Sequence, residues 1–149
     1  MEILKQSRVL LILALAVIAS VFFFSFRIYH NDIKALEGFN ASYKKFDDAI
    51  LDFSISKTDD SEIKASDALI ELNAKAAFRV SSFIKNDRLI PASTLEVAEL
   101  SAKELESLKA YKEATQSKNV ELGGLAKEYS DLATKRKTAY ALFQSLGRE

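Results

Sequence analysis

Residues Val9 to Phe26, VLLILALAVIASVFFFSF, form a run of 18 residues without a charge, a Pro or a Gly. At 1.5 Å per residue an α-helix of that length measures roughly 27 Å, close to the ~30 Å hydrocarbon core of a bilayer. Its only polar side chains, Ser20 and Ser25, can bond back to carbonyls of their own helix. A helix also gives every backbone N–H and C=O an internal partner, which lipid requires. Lys5 and Arg8 flank the run on one side, and Arg27 and His30 on the other. Tyr29 fits an interfacial aromatic, whereas Phe22, Phe23, Phe24 and Phe26 add apolar bulk. The run therefore predicts a transmembrane helix over 9–26, after a short flank over 1–8. The competing reading is a cleaved signal peptide, because Val17-Ile18-Ala19 before Ser20 resembles a small-residue cleavage site. Val21 to Phe26 stays apolar beyond it, so a retained signal anchor is preferred. A short basic N-terminus tends to stay cytoplasmic, which predicts an inner-membrane, single-pass protein with an extracytoplasmic C-terminal domain.

Outside this run the chain is polar and patterned for helix. The 149 residues carry 21 basic and 21 acidic side chains, so no net positive field marks a nucleic-acid partner. There is no Cys, which excludes disulfides, thiol chemistry and a lipid-modified N-terminal Cys. One Pro and four Gly among abundant Ala, Leu, Lys, Glu and Ser leave room for helix throughout, and no segment alternates as a strand does. Residues 27–149 are expected to form one helical bundle domain.

The first helix continues from the apolar run to about Ser56. Leu36, Phe39, Tyr43, Phe46, Ile50 and Phe53 follow in steps of 3, 4, 3, 4 and 3, an unbroken heptad seam. A turn follows at Ser56–Glu62, with Asp59 as a capping candidate and Glu62 in the capping-box position. The second helix runs to about Lys85 with an apolar face of Ile63, Leu69, Ile70, Ala76, Ala77, Val80, Phe83 and Ile84, and Asn73 in its middle. Asn86-Asp87-Arg88 to Pro91 reads as a connection. Ser93-Thr94-Leu95-Glu96 then matches the S-x-x-E capping box of a third helix, whose inward set is Leu95, Ala98, Ala102, Leu105 and Leu108. Gly123-Gly124, or Ser117 to Asn119, marks the last break. The fourth helix carries Leu122, Leu125, Tyr129, Leu132, Arg136, Ala139, Phe143 and Leu146 along one seam. The predicted fold is all-α: a membrane helix continuous with an antiparallel up-down four-helix bundle, or a three-helix variant if the last two helices are one bent rod.

No residue constellation points to catalysis, a cofactor or a metal. The one His, His30, lacks the Glu-x-x-His partners of a bundle metal site. There is no G-x-S-x-G and no second His for a triad. Asp47, Asp48, Asp52, Asp59 and Asp60 read as a solvated acidic face, and Asn40-Ala41-Ser42 as a chance sequon. Arg136 is the exception, because a charge occupies an apolar seam. Counting residues from the turns places Tyr43, Asn73, Glu106 and Arg136 at one height, a candidate polar core layer in which Glu106, the Asn73 carbonyl and the Tyr43 hydroxyl are the candidate acceptors. The plainer reading of such an Arg is that its stem packs and its head snorkels to water, and the buried, paired Arg of that layer is the alternative. A membrane helix leading into a four-helix bundle resembles the extracytoplasmic sensor half of bacterial chemoreceptors. That likeness implies ligand sensing, here through a partner, since the sequence shows no signalling region. A phage inner-membrane spanin shares the span and helical tail but not the several turns. The reading preferred from sequence is a non-enzymatic, membrane-anchored interaction module, whose partners are the lipid bilayer and a second protein or further copies of itself.

Overall fold

The computed structural model describes residues 2–85, 92–117 and 122–146. They form four α-helices: α1, Glu2–Ser56; α2, Asp59–Lys85; α3, Ala92–Gln116; and α4, Leu122–Leu146. Residues 86–91 and 118–121, where the sequence reading puts connections, lie outside the described residues. The chain divides into two units, one ending at Lys34 and the other beginning at Ala35.

In the first unit the apolar side chains face outward. Leu13, Leu15, Val17, Ile18 and Val21 are exposed, as are Phe22, Phe23, Phe24, Phe26 and Tyr29. The helix they belong to is long and apolar enough to cross a membrane. Ser20 donates to the Ala16 carbonyl at 2.8 Å, the back-bond that lets a hydroxyl sit on an apolar helix.

The second unit is a four-helix bundle with its own core. The first-helix seam is buried from Phe39 through Tyr43, Phe46 and Ile50 to Phe53. Leu72 and three alanines of α2, Val97, Leu105 and Leu108 of α3, and Ala139 and Phe143 of α4 close over it. Each large apolar side chain removed from water contributes about 1.5–3 kcal/mol, which is what stabilises helices that are marginal alone. The neighbours of α1 are α2, through Lys45–Glu71 at 2.6 Å, and α4, through Phe39 against Phe143 with ring centroids 4.8 Å apart. Near one end of the bundle Lys112 of α3 reaches Glu62 of α2 at 2.8 Å. The helix axes approach most closely between α3 and α4 and between α2 and α3.

Three local details differ from the sequence expectation. First, the cap of α2 is Thr58, not Asp59. Its Oγ1 accepts the Ser61 N–H at 3.3 Å, while Glu62 turns away to Lys112. Before it, Lys57 adopts a left-handed φ of 53° and its N–H reaches the Phe53 carbonyl at 2.9 Å, ending α1 in an αL turn. Second, Ser93 lies inside α3, not before it, and its buried hydroxyl has no hydrogen-bond partner. Third, Gly123 and Gly124 are part of α4 and do not break it.

Two buried faces are also rotated. On α2 the core face is Ala65, Ala68, Leu72, Ala76 and Arg79, whereas Ile63 and Ile70 are exposed. On α3 it is Thr94, Val97, Ser101, Glu104 and Leu108, in steps of 3, 4, 3 and 4, whereas Leu95 is exposed. In both helices small or polar residues occupy the inner stripe, because the helices approach closely there and leave no room for bulk.

Candidate polar core layer

Arg136 is 1 % exposed, which makes it the largest fully buried side chain of the bundle. It does not snorkel. Its seam position on α4 points the side chain between α1 and α3, and three acceptors meet the guanidinium there. Nε donates to Glu104 Oε2, and Nη2 lies 3.4 Å from Glu104 Oε1 in a two-pronged contact. Nη1 donates to Tyr43 Oη at 2.6 Å, and Nη2 to Asp47 Oδ1 at 2.7 Å. The guanidinium carbon also stands 5.1 Å from the Tyr43 ring centroid and 5.4 Å from that of Phe46, within cation–π range.

Of the four residues placed at one height by counting, the structure joins Tyr43 and Arg136. Glu106 is exposed, and the carboxylate in the layer is Glu104, 0 % exposed and two residues earlier. Asn73 is exposed and takes no part. Asp47, read from sequence as part of a solvated face, is half-buried and bonded to Arg136. The error on α3 is one of phase. Leu95, Ala98 and Ala102 suggest a stripe that turns Glu104 outward, but the buried stripe runs through Thr94, Val97 and Ser101 and carries Glu104 in. The signal available in the sequence was the 3-4-3-4 spacing of Thr94, Val97, Ser101, Glu104 and Leu108, masked by its polar members.

The electrostatics follow from burial. Desolvation pushes the Glu104 carboxyl above its ordinary value, with Arg136 pulling against it. Burial likewise opposes the charge on Arg136, but Glu104, Tyr43 and Asp47 outweigh it and hold the guanidinium above its already high ordinary value. The Tyr43 hydroxyl is pushed up to about 12 by burial, although Arg136 lowers it. Tyr43 is further fixed by stacking on Tyr140, with centroids 3.4 Å apart and planes 8° off parallel. Tyr140 in turn donates to Asn40 Oδ1 at 2.9 Å. Every donor direction of Arg136 that meets an acceptor is therefore spent inside the protein. An Arg held this way spends four of its five N–H groups on three acceptors, is 1 % exposed, and anchors three helices at a fixed height.

A second charged contact clasps the end of the bundle. Lys112, its side chain 10 % exposed, bonds Asp59 and Glu62, and Lys109 stands 3.7 Å from Glu62. Among the described residues no three His, Cys, Asp or Glu side chains gather into a metal-binding group. No protein-family model, no curated protein and no solved structure matches this chain.

Proposed function

We propose that this is a non-enzymatic, single-pass membrane protein that presents a helical bundle as an interaction module outside the cytoplasm. The observation that carries the reading is the contrast between the two units. The bundle buries its apolar seam within itself, whereas the first unit exposes Leu13 through Tyr29 on every side of its helix. An apolar surface of that extent in water is a liability for a monomeric protein, and lipid is the solvent that removes it. The bundle adds no chemistry of its own. The charge cluster around Arg136 is satisfied internally and fixes the helices against one another, which suits a surface whose shape must be constant. The lipid bilayer is one partner, and a protein is the other.

The test is alkaline extraction of membranes followed by protease shaving of spheroplasts carrying a C-terminal tag on the full chain. The expected result is a protein that resists extraction and a tag that is digested from outside. A tag protected in intact spheroplasts overturns the exported bundle. A mature N-terminus at Ser20 overturns the anchor.

A further inference from the structure

Polar residues enter α1 on one side of the helix as the apolar run ends. Arg27, His30, Asn31 and Lys34 follow Phe26 within eight residues. At about 100° per residue the four fall within an arc of about 100°. All four are exposed. Asp32 falls on the far side of the helix, about 150° from the middle of that arc. Among the described residues Arg27, His30 and Lys34 hold no ion pair. The His30 ring stacks on Phe26, with centroids 6.2 Å apart and planes 5° off parallel, which fixes the direction of its edge.

We propose that Arg27, His30 and Lys34 form a site for the phosphate of an anionic phospholipid at the edge of the membrane span. The proposal rests on the single-span reading above and adds the class of lipid that the span selects. All three residues belong to the first unit, so the site is complete there.

Depth is the first reason. Helical rise puts Arg27 about 1.5 Å, His30 about 6 Å and Lys34 about 12 Å beyond Phe26, and the headgroup layer on each side of a bilayer is roughly 5–8 Å deep. Side chains on an α-helix lean toward its N-terminus, which for these residues is the membrane side. The long Lys34 stem therefore reaches back to the headgroups. Arg27 stands at the hydrocarbon edge and snorkels outward to the same layer. His30 lies between them at that depth.

Donor chemistry is the second reason. The guanidinium can grip two phosphate oxygens, the ammonium adds a point charge, and imidazole keeps one N–H to donate even when neutral. Two permanent cations favour a headgroup of net negative charge, whereas a zwitterionic headgroup brings a cation of its own. Acyl chains hold such a phosphate beside the apolar helix at high effective concentration, which free phosphate in water lacks.

The experiment reconstitutes the full chain in phosphatidylcholine vesicles. Spin-labelled phosphatidylglycerol and spin-labelled phosphatidylcholine are then compared by electron paramagnetic resonance, which counts the lipids slowed against the protein. The two cations are expected to favour phosphatidylglycerol on the order of tenfold. Arg27→Gln combined with Lys34→Gln should bring that ratio close to unity. Both side chains are exposed, so circular dichroism should show unchanged helix content in the double variant. Lys127→Gln, in the exposed surface of α4, should leave the ratio as in the parent. Equal slowing of the two lipids by the parent, a preference that survives the double variant, or an equal loss in Lys127→Gln overturns the site. Inorganic phosphate added at constant ionic strength should leave the preference unchanged. A preference that it abolishes makes free phosphate the ligand and overturns the lipid assignment. The same vesicles are washed with alkaline carbonate. A chain that washes off overturns the anchor and the site with it, whereas a chain that stays and slows both lipids equally overturns the site alone.

Discussion

Replacing Arg136 by Ala tests the polar layer most directly, and its consequence can be worked group by group. Asp47, with its side chain 40 % exposed, returns to water at little cost. Tyr43 loses a partner for a hydroxyl that is almost buried, a loss of about 1–3 kcal/mol if nothing replaces it. Glu104 dominates. It is 0 % exposed and loses both contacts to its counter-ion. Left alone it protonates to avoid a buried charge, and from an ordinary Glu pKa near 4.3 that costs roughly 3–4 kcal/mol at pH 7 but only about 1 kcal/mol at pH 5. The expected loss at pH 7 is therefore about 4–7 kcal/mol, its lower part within the range of other broken buried pairs. It should shrink as the pH falls to 5, by at most about 2–3 kcal/mol, because there the carboxyl protonates cheaply and the parent chain, which already holds Glu104 above its ordinary value, shares part of that dependence. Urea denaturation of the full chain and the variant in detergent micelles at both pH values gives the difference. A loss below about 0.5 kcal/mol at pH 7, the usual range for surface changes, refutes the layer. A larger loss that is the same at both pH values refutes the assignment to Glu104.

Other variants probe the same physics. The Tyr43 hydroxyl is held at about 12 in the folded chain against about 10 when unfolded, so its contribution is intact below pH 10 and lost as the pH rises through 12. That amounts to about 2–3 kcal/mol, and Tyr43→Phe should flatten the fall between pH 9 and 11.5 relative to the parent chain in denaturation curves. Thr94 is 0 % exposed and its hydroxyl has no hydrogen-bond partner, so Thr94→Val should raise stability by about 1 kcal/mol. A lower urea midpoint would mean that the hydroxyl is satisfied after all. A Cβ added at Gly124 meets nothing within 4 Å, so Gly124→Ala should add about 0.5–1 kcal/mol by helix propensity alone, read from the same midpoint.

How far the sequence was legible depended on what each helix buries. In α1 the seam is built of Leu, Phe, Tyr and Ile, whose burial is their main reason for being there, and Phe39 to Phe53 read correctly to the residue. In α2 and α3 the inner stripes are Ala65, Ala68, Ala76, Thr94 and Ser101, residues too small to announce a face. The bulkier Ile63, Ile70 and Leu95 lie elsewhere, and hydrophobicity alone pulls the reading toward them. Arg136 was legible as an anomaly, because a charge in an apolar seam must either snorkel or be paired, but the sequence favoured snorkelling and the structure buries it. Its partner was not legible, since Glu104 and Glu106 differ only in which side of α3 they take, and that side is set by the neighbouring helices.

The same contrast bears on why the charge is there. Inner stripes rich in Ala, Ser and Thr leave α2 and α3 able to slide by a turn past α1 at modest cost, because small side chains interlock weakly. A planar guanidinium bonded at once to Tyr43 and Asp47 on α1 and Glu104 on α3 tolerates no such slide, since a displacement of one turn, about 5.4 Å, breaks all three contacts. If alignment is its role, a wholly apolar layer with Arg136→Met, Glu104→Leu and Tyr43→Phe should be as stable as the parent or more so, by about 1–4 kcal/mol. The amide resonances of that variant should nevertheless broaden or double in an NMR spectrum, as the helices sample neighbouring registers. A single sharp set of resonances from it would assign the alignment to apolar shape and leave Arg136 without a structural purpose.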